Sequence, residues 1–372
     1  MPKLNLMLST CGTSILTNGE VDADTRKLLT KHANAKTAEE IRLDERQIIE
    51  THLAERERNF LATSLADAPK SSAELAGIIA YYRGQLSDAA RDAHYLLATD
   101  TWLGGRTAQL TADWLQKNGV ANTQIYPHPD LQTADWRLFS SSLTDLVKWC
   151  DETLRPCRDN YNTVFNLSGG FKSETGFLQV LGMFYADETV YIFERSAELM
   201  RIPHLPVKMD DESDVAADLR DFRRAALGLS VSGKNVGLYW LEIDGANGLT
   251  PWGELIFRNI RDNLYRKEIY PSISDRIIFG NNFQKTATNF CNTPEKIAHL
   301  NESIDLLAKN REGCAHPNPK NLNFEALQNN RKGEYSFRAW HNDNGARCLC
   351  RMENNGVVIV ENIVSHSDLD KM

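Results

Sequence analysis

The chain has 372 residues, 42% hydrophobic and 25% charged, which is ordinary composition for a water-soluble protein with room for two domains. Its net charge of −8 excludes a surface that gathers nucleic acid by general attraction, and no apolar run approaches the ~18 residues of a membrane span, so no membrane partner is expected. Seven cysteines occur without a C-x-x-C pair or a Cys/His cluster, which predicts reduced thiols in a cytoplasm and no metal site.

The chain opens on a buried-type strand, Leu4-Asn5-Leu6-Met7-Leu8, that runs into the hydroxyl-rich turn Ser9-Thr10-Cys11-Gly12-Thr13-Ser14, followed by Asn18. Residues 36–62 read as one long charged helix with a thin stripe of Ile41, Ile48, Ile49, Leu53 and Phe60, suited to a dimer-facing or a solvated surface. The strand His94 to Thr99 is followed by Asp100-Thr101-Trp102-Leu103-Gly104-Gly105-Arg106-Thr107, which opens a helix. Trp102 can stack on a base and Asp100 can accept from one, while an Asp-Thr pair before a helix also serves as a plain N-cap. Helical faces follow at Leu143, Leu146, Val147, Cys150 and Leu154, and at Phe177, Val180, Leu181 and Phe184; strands are expected near 120–126 and 189–194. Alternating β and α elements predict an α/β fold with a right-handed, mostly parallel sheet.

Between Tyr161-Asn162-Thr163-Val164-Phe165 and the next helix stands Asn166-Leu167-Ser168-Gly169-Gly170-Phe171-Lys172-Ser173. Paired glycines let an anion approach the main chain, the helix adds its positive end, and Lys172 supplies a mobile cation. The spacing matches neither the P-loop nor the dinucleotide fingerprint. In a parallel sheet the loops after the first strand and after Phe165 open on one crevice, outside the carboxyl ends of the strands.

The segments STCGTSILTN, ATDTWLGGRTAQL, NLSGGFKSETGF and Ile202-Pro203-His204-Leu205-Pro206 together resemble the CARF sensor domain of CRISPR-associated proteins, over residues 1–208. The resemblance implies a Rossmann-like fold and a homodimer that binds a cyclic oligoadenylate across its two-fold axis, with cyclic tetra-adenylate the commoner ligand. Carried over by position, Gly12, Thr13, Ser14 and Asn18 line one side of the pocket and Ser168, Gly169, Gly170 and Lys172 the other. Asp100, Thr101 and Trp102 complete the candidate set. Ser14 and Lys172 are also placed to orient a ligand 2′-hydroxyl for slow ring cleavage.

Residues 209–272 read as a small helical connector, with winged-helix character in Leu238 to Ile243, the turn Asp244 to Gly248 and the helix after Thr250-Pro251; Arg258, Arg261 and Arg266 lie along that helix. From Asp275 to the end, twelve basic residues balance twelve acidic ones. Here a short strand at 276–279, a helical stretch from Phe283 to Asn310 broken near Thr293-Pro294, and a polar connection from Lys320 to Asn330 precede three strands. The turns Asp343-Asn344-Gly345 and Asn354-Asn355-Gly356 mark hairpins. Cys348 and Cys350 are expected to pack in the core.

This α+β order over 273–372 is similar to the RelE-type toxins that cut messenger RNA on the ribosome. The resemblance implies a metal-free endoribonuclease site with Lys320 or Lys332 as loop cation, Arg338 and Arg347 on the hairpin, and His366 or Ser367 after the last strand. Sensor and toxin together imply a ribonuclease activated by cyclic tetra-adenylate, which needs no cofactor and finds its RNA presented in the ribosomal A site; the acidic charge, repelled by ribosomal RNA, adds the expectation of docking through the ribosomal stalk. The competing expectation is a ligand-regulated transcription factor that contacts DNA through the Arg258 to Lys267 helix.

Overall fold

The first strand, β1 (Leu4–Cys11), sends Leu6 and Leu8 to one face and Met7 and Cys11 to the other, all four buried, as a strand covered on both sides requires. This computed structural model describes residues 3–132, 134–193, 198–206, 211–243, 245–312, 319–327, 334–340 and 343–369, and divides into two units, Met1–Lys208 and Met209–Met372. In the first unit the chain continues through α1 (Ser14–Thr17), α2 (Ala23–Lys31), α3 (Leu43–Leu61), α4 (Ala68–Ser71), α5 (Ala73–Tyr81), β2 (Ala93–Ala98), α6 (Trp102–Lys117), β3 (Thr123–Pro127), α7 (Trp136–Trp149), β4 (Tyr161–Asn166), α8 (Lys172–Tyr185), β5 (Glu188–Ile192) and β6 (Leu199–Pro203).

The sheet order is β3-β2-β1-β4-β5-β6, parallel throughout except that β6 runs antiparallel on the edge. The order reverses between β1 and β4, where an open α/β sheet leaves its crevice. Met7, Leu96, Val164 and Val190 share one core with residues of α3, α5 and α6, while Phe165 meets Gly182 of α8 on the opposite face. The α/β expectation holds. The helix expected over 36–62 is interrupted: Ala38–Glu40 is a 3₁₀ turn, Ile41 is extended, and α3 starts at Leu43. Ile41, Ile49, Leu53 and Phe60 are buried, and Ile48 is exposed.

The second unit contains α9 (Glu212–Ala217), α10 (Leu219–Ala226), the hairpin of β7 (Trp240–Ile243) and β8 (Ala246–Leu249), α11 (Pro251–Tyr265), β9 (Ile277–Phe279), α12 (Phe283–Phe290), α13 (Pro294–Arg311), β10 (Glu325–Ala326), β11 (Glu334–Trp340), β12 (Asp343–Met352), β13 (Val358–Ser365) and α14 (His366–Leu369). Thr250 and Thr293 cap α11 and α13, each accepting from a first-turn amide, with proline in the first turn. The five-stranded sheet has the order β10-β11-β12-β13-β9, with β9 parallel to β13 and the other pairs antiparallel. Phe337, Cys348, Cys350, Val360 and Ile363 pack with Phe283, Leu300, Ile304 and Leu307 of α12 and α13. Cys348 and Cys350 are therefore core residues, as expected.

One turn moves. Trp340 pairs with Asp343, so Asp343-Asn344-Gly345 belongs to β12 instead of forming the hairpin turn. The second signal holds, with Gly356 at φ +83°, a backbone conformation that favours glycine.

Candidate functional sites

In the first unit the turn after β1 and the loop after β4 meet. Cys11 and Asn166 end adjacent parallel strands, and a Cβ added to Gly12 would lie 3.1 Å from the Gly170 amide nitrogen. Thr10 Oγ1 donates to the Gly169 carbonyl at 2.7 Å. Gly170 has φ +84°, and a side chain there would strike Thr10 and Glu174 at 2.9 Å. The glycines thus allow two loops to pack main chain to main chain at the switch point of the sheet.

Two buried carboxyl groups lie against this pair of loops, and neither stands out in the sequence. Glu74, in the first turn of α5, accepts from the Gly12 amide at 2.6 Å, from Ser14 Oγ at 2.9 Å and from Ser72 Oγ at 2.7 Å. A Cβ on Gly169 would fall 2.3 Å from Glu74 Oε1. Glu174, in the first turn of α8, accepts from the Phe171 amide at 3.3 Å through Oε2, while its buried Oε1 has no hydrogen-bond partner among the described residues. Burial pushes the Glu174 carboxyl up to about 8, opposed by the Phe171 amide and reinforced by Glu74. Both glutamates look like ordinary first-turn acids of a helix, which is why the pattern conceals them.

The raised Glu174 carboxyl makes stability depend on pH. Below its ordinary value of 4.5 the group is protonated whether folded or unfolded, and from there to about 8 the folded chain must keep a proton that the unfolded chain releases. Stability is therefore lost as pH rises through that window. Glu174→Gln keeps an acceptor for Phe171 and removes the titration, so its stability relative to the parent should climb by roughly 1 kcal/mol per pH unit across the window and then level. Urea denaturation over a pH series checks this; a difference independent of pH would refute it.

The other sensor candidates divide between structural and open roles. Ser168 Oγ donates to Asn166 Oδ1 at 2.8 Å and accepts from the Ile192 amide at 3.1 Å, so it fastens the loop to β5. Asn18 caps α1 and donates weakly to the carbonyls of Lys70 and Ser71, at 3.4 and 3.5 Å. Thr13 precedes α1, and its carbonyl accepts from Thr17 Oγ1. Lys172 is exposed at the start of α8.

Of the β2 loop, Thr101 takes the N-cap alternative, accepting from the Gly104 amide at 3.1 Å. Asp100 is held by the Asp130 amide at 3.0 Å and by Lys36 at 3.1 Å; burial works against its carboxylate, but those two partners outweigh it and keep its pKa low. Trp102 is half-buried against the core, and its amide donates to the Ala35 carbonyl at 2.8 Å. This loop opens at the same end of the sheet, yet its hydrogen bonds run to 35–36 and 130–131.

In the second unit Arg338 stands directly opposite Arg347, and Arg347 opposite Val364. Strand alternation sends Phe337, Cys348 and Ile363 into the core, and therefore Arg338, Arg347 and Val364 to the other face of the sheet. Arg347 is 3% exposed, with Nε donating to Ser336 Oγ at 3.0 Å and Nη2 to the Asn323 carbonyl and Glu325 Oε1, both at 2.8 Å. Burial pulls its guanidinium down from the usual range, with Glu325 opposing and Arg338 adding to the shift. Arg338 is half-buried, and its Nε finds no hydrogen-bond partner among the described residues.

Lys320 is exposed, two residues before Leu322, whose carbonyl accepts from the Arg338 amide at 2.9 Å. His366 begins α14, directly after Ser365, which pairs with Ala346. Backbone register thus brings the chain segments that carry the two arginines, Lys320 and His366 to the same end of the hairpin. Lys332 lies outside the described residues. Glu325, opposite Ser336, adds a carboxylate that no sequence motif marks, and it is 52% exposed.

Among the described residues no group of three or more His, Cys, Asp or Glu side chains is arranged to hold a metal ion, and no helix is long and apolar enough to cross a membrane. No curated protein matches the chain. Residues 69–205 match the family model described as CRISPR-associated protein (Cas_APE2256), a span that starts in α4, takes in Glu74, the β2 loop and the Ser168 to Lys172 loop, and ends just past β6. Over that span the N-terminal unit is similar to CRISPR-associated proteins.

Proposed function

We propose that the protein is a cyclic-oligoadenylate-activated, ribosome-dependent endoribonuclease, a CARF-type sensor unit joined to a RelE-type messenger RNA interferase that inhibits translation in antiviral defence. The observation that carries this reading is Arg338, whose guanidinium Nε has no hydrogen-bond partner among the described residues, opposite Arg347 on the sheet face turned away from α12 and α13. A phosphodiester is the anion such a pair fits. The family match over the first unit and the glycine loops at its switch point support the sensor half.

The chemistry needs side chains alone. A ribose 2′-oxygen attacks the adjacent phosphorus and loses its proton to a base; the P–O5′ bond breaks, and an acid protonates the leaving 5′-oxygen. Arg338 faces the charge that develops on phosphorus. Arg347, fixed by Ser336 and Asn323, holds Glu325 beside that position as the candidate base, and His366 is the candidate acid. The DNA-binding alternative has less support: Arg258 is 8% exposed and pairs with the buried Glu254 at 2.6 Å, and Arg266 pairs with Glu295 at 2.6 Å.

The test is cleavage of messenger RNA with ribosomes and cyclic tetra-adenylate supplied separately and together. Cutting only when both are present, at the A site, supports the reading, and DNA binding without cutting would replace it. An acidic protein approaching ribosomal RNA is repelled at long range, so docking through the stalk, beside the A site, is part of the proposal. In the sensor dimer, Lys172→Ala should weaken cyclic tetra-adenylate by about 10- to 100-fold, since one charge-assisted hydrogen bond to phosphate is lost. Calorimetry decides; unchanged affinity removes Lys172 from the pocket. The same titrations, followed by chromatography of the nucleotide, test whether Ser14 and Lys172 slowly open the ring.

A further inference from the structure

The two glycine loops of the sensor unit already contain an anionic group, and it is the protein's own. Glu74 is 1% exposed and takes the Gly12 amide, the Ser14 hydroxyl and the Ser72 hydroxyl. Its Oε1 also lies where a side chain on Gly169 would be. One carboxyl group therefore touches both loops and uses the donors of Gly12 and Ser14 that a ligand phosphate needs. A carboxylate and a phosphate cannot share those donors, because each N–H or O–H serves one acceptor well and like charges repel.

We propose that Glu74 is an intramolecular competitor for the ligand: it closes the loop pair when the site is empty, and a phosphate of the cyclic oligoadenylate must displace it from Gly12 and Ser14. The proposal rests on the sensor reading above. Displacement reaches beyond one side chain, because α5 is fixed to the second loop as well. The Glu74 carbonyl accepts from Asn166 Nδ2 at 3.0 Å, and a Cβ on Gly77 would overlap Asn166 Oδ1 at 2.1 Å and Ser168 Oγ at 2.5 Å. A carboxyl group leaving the nest pulls on the first turn of α5, which lies against both glycine loops. Occupancy of the site is thereby coupled to the position of a helix, and the affinity for ligand is reduced by whatever the Glu74 contacts are worth.

The experiment titrates the full-length protein with cyclic tetra-adenylate in three forms: parent, Glu74→Gln and Ser72→Ala. Glutamine keeps an acceptor for Gly12, and the two serine hydroxyls can turn to accept from its amide, so the fold is retained while the charge is removed. Glu74→Gln should bind at least about 5-fold tighter than the parent. Ser72→Ala loosens the same carboxyl without touching Gly12 or Ser14, and also removes the hydroxyl that caps α5 at the Leu75 amide; read beside a thermal melt, it should shift affinity in the same direction by less, and it decides the matter if Glu74→Gln does not fold. Variants that bind no tighter than a parent that does bind overturn the competition and leave the sensor reading standing. Absence of binding by all three forms overturns both.

Discussion

Arg338→Ala is expected to lower ribosome-dependent cleavage by about 10²- to 10³-fold, the usual cost of removing one preorganised donor to a developing negative charge. The two hairpin arginines are not equivalent. Arg347 is buried and committed to Ser336, Asn323 and Glu325. Among the described residues Arg338 keeps a buried Nε without a partner, a state that is costly unless something else supplies an acceptor. Substrate phosphate is the acceptor that fits. Under the proposed function Arg338 would contact the reacting phosphate directly, and Arg347 would position Glu325 and the strand edge. Arg338→Lys keeps the charge but loses the planar fork and should restore only part of the rate. Single-turnover cleavage on programmed ribosomes, read beside thermal melts, separates the effect from unfolding. A variant lacking Arg338 that melts normally and cuts within a few-fold of the parent would remove this arginine from the site.

Most strands of both sheets are legible, because each is a short apolar or alternating run closed by a turn residue, and the parallel sheet follows from their alternation with helices; β6 and β10 are not. β6 was harder, since Leu199-Met200-Arg201-Ile202-Pro203 is a half-exposed edge that ends on proline and lacks the apolar continuity of β1 or β4. Residues 166–173 were recognisable as a loop built for close approach, and the structure brings that loop against Gly12. What occupies the loop was not legible. Glu74 lies some sixty residues from Gly12 in sequence, and its role exists only because α5 carries it to the ends of β1 and β4. Glu325 is hidden for the same reason: a two-residue strand gives no periodicity, so only pairing with Ser336 places its carboxyl beside Arg347.

Asp305→Ala is expected to cost about 3–5 kcal/mol of stability in the second unit, the range for breaking a buried ion pair on one side only. Asp305 on α13 accepts from Arg223 Nη2 at 2.6 Å and from Nε at 3.1 Å, and it also accepts from the Tyr265 hydroxyl at the end of α11. Arg223 donates to the Pro271 carbonyl and lies over the rings of Tyr265 and Tyr270. Removing the carboxylate leaves a charged guanidinium at 3% exposure with no counterion from α13. Replacing both partners by apolar residues of similar volume, Arg223→Met with Asp305→Leu, should recover most of the loss, because no buried charge is then uncompensated. Chemical denaturation of the single and double variants measures the coupling directly; a single variant within 1 kcal/mol of the parent would show that the pair is not holding these helices. The pair also bears on how a signal can travel. It joins α10 and α11, the segment expected to act as a connector, to α13 beneath the five-stranded sheet, so a swing of the connector against that sheet would have to break it. A several-kcal/mol value for Asp305→Ala therefore favours activation that moves this unit as one body or rearranges the sheet face that carries Arg338, Arg347 and Glu325, whereas a small value would leave the connector free to pivot.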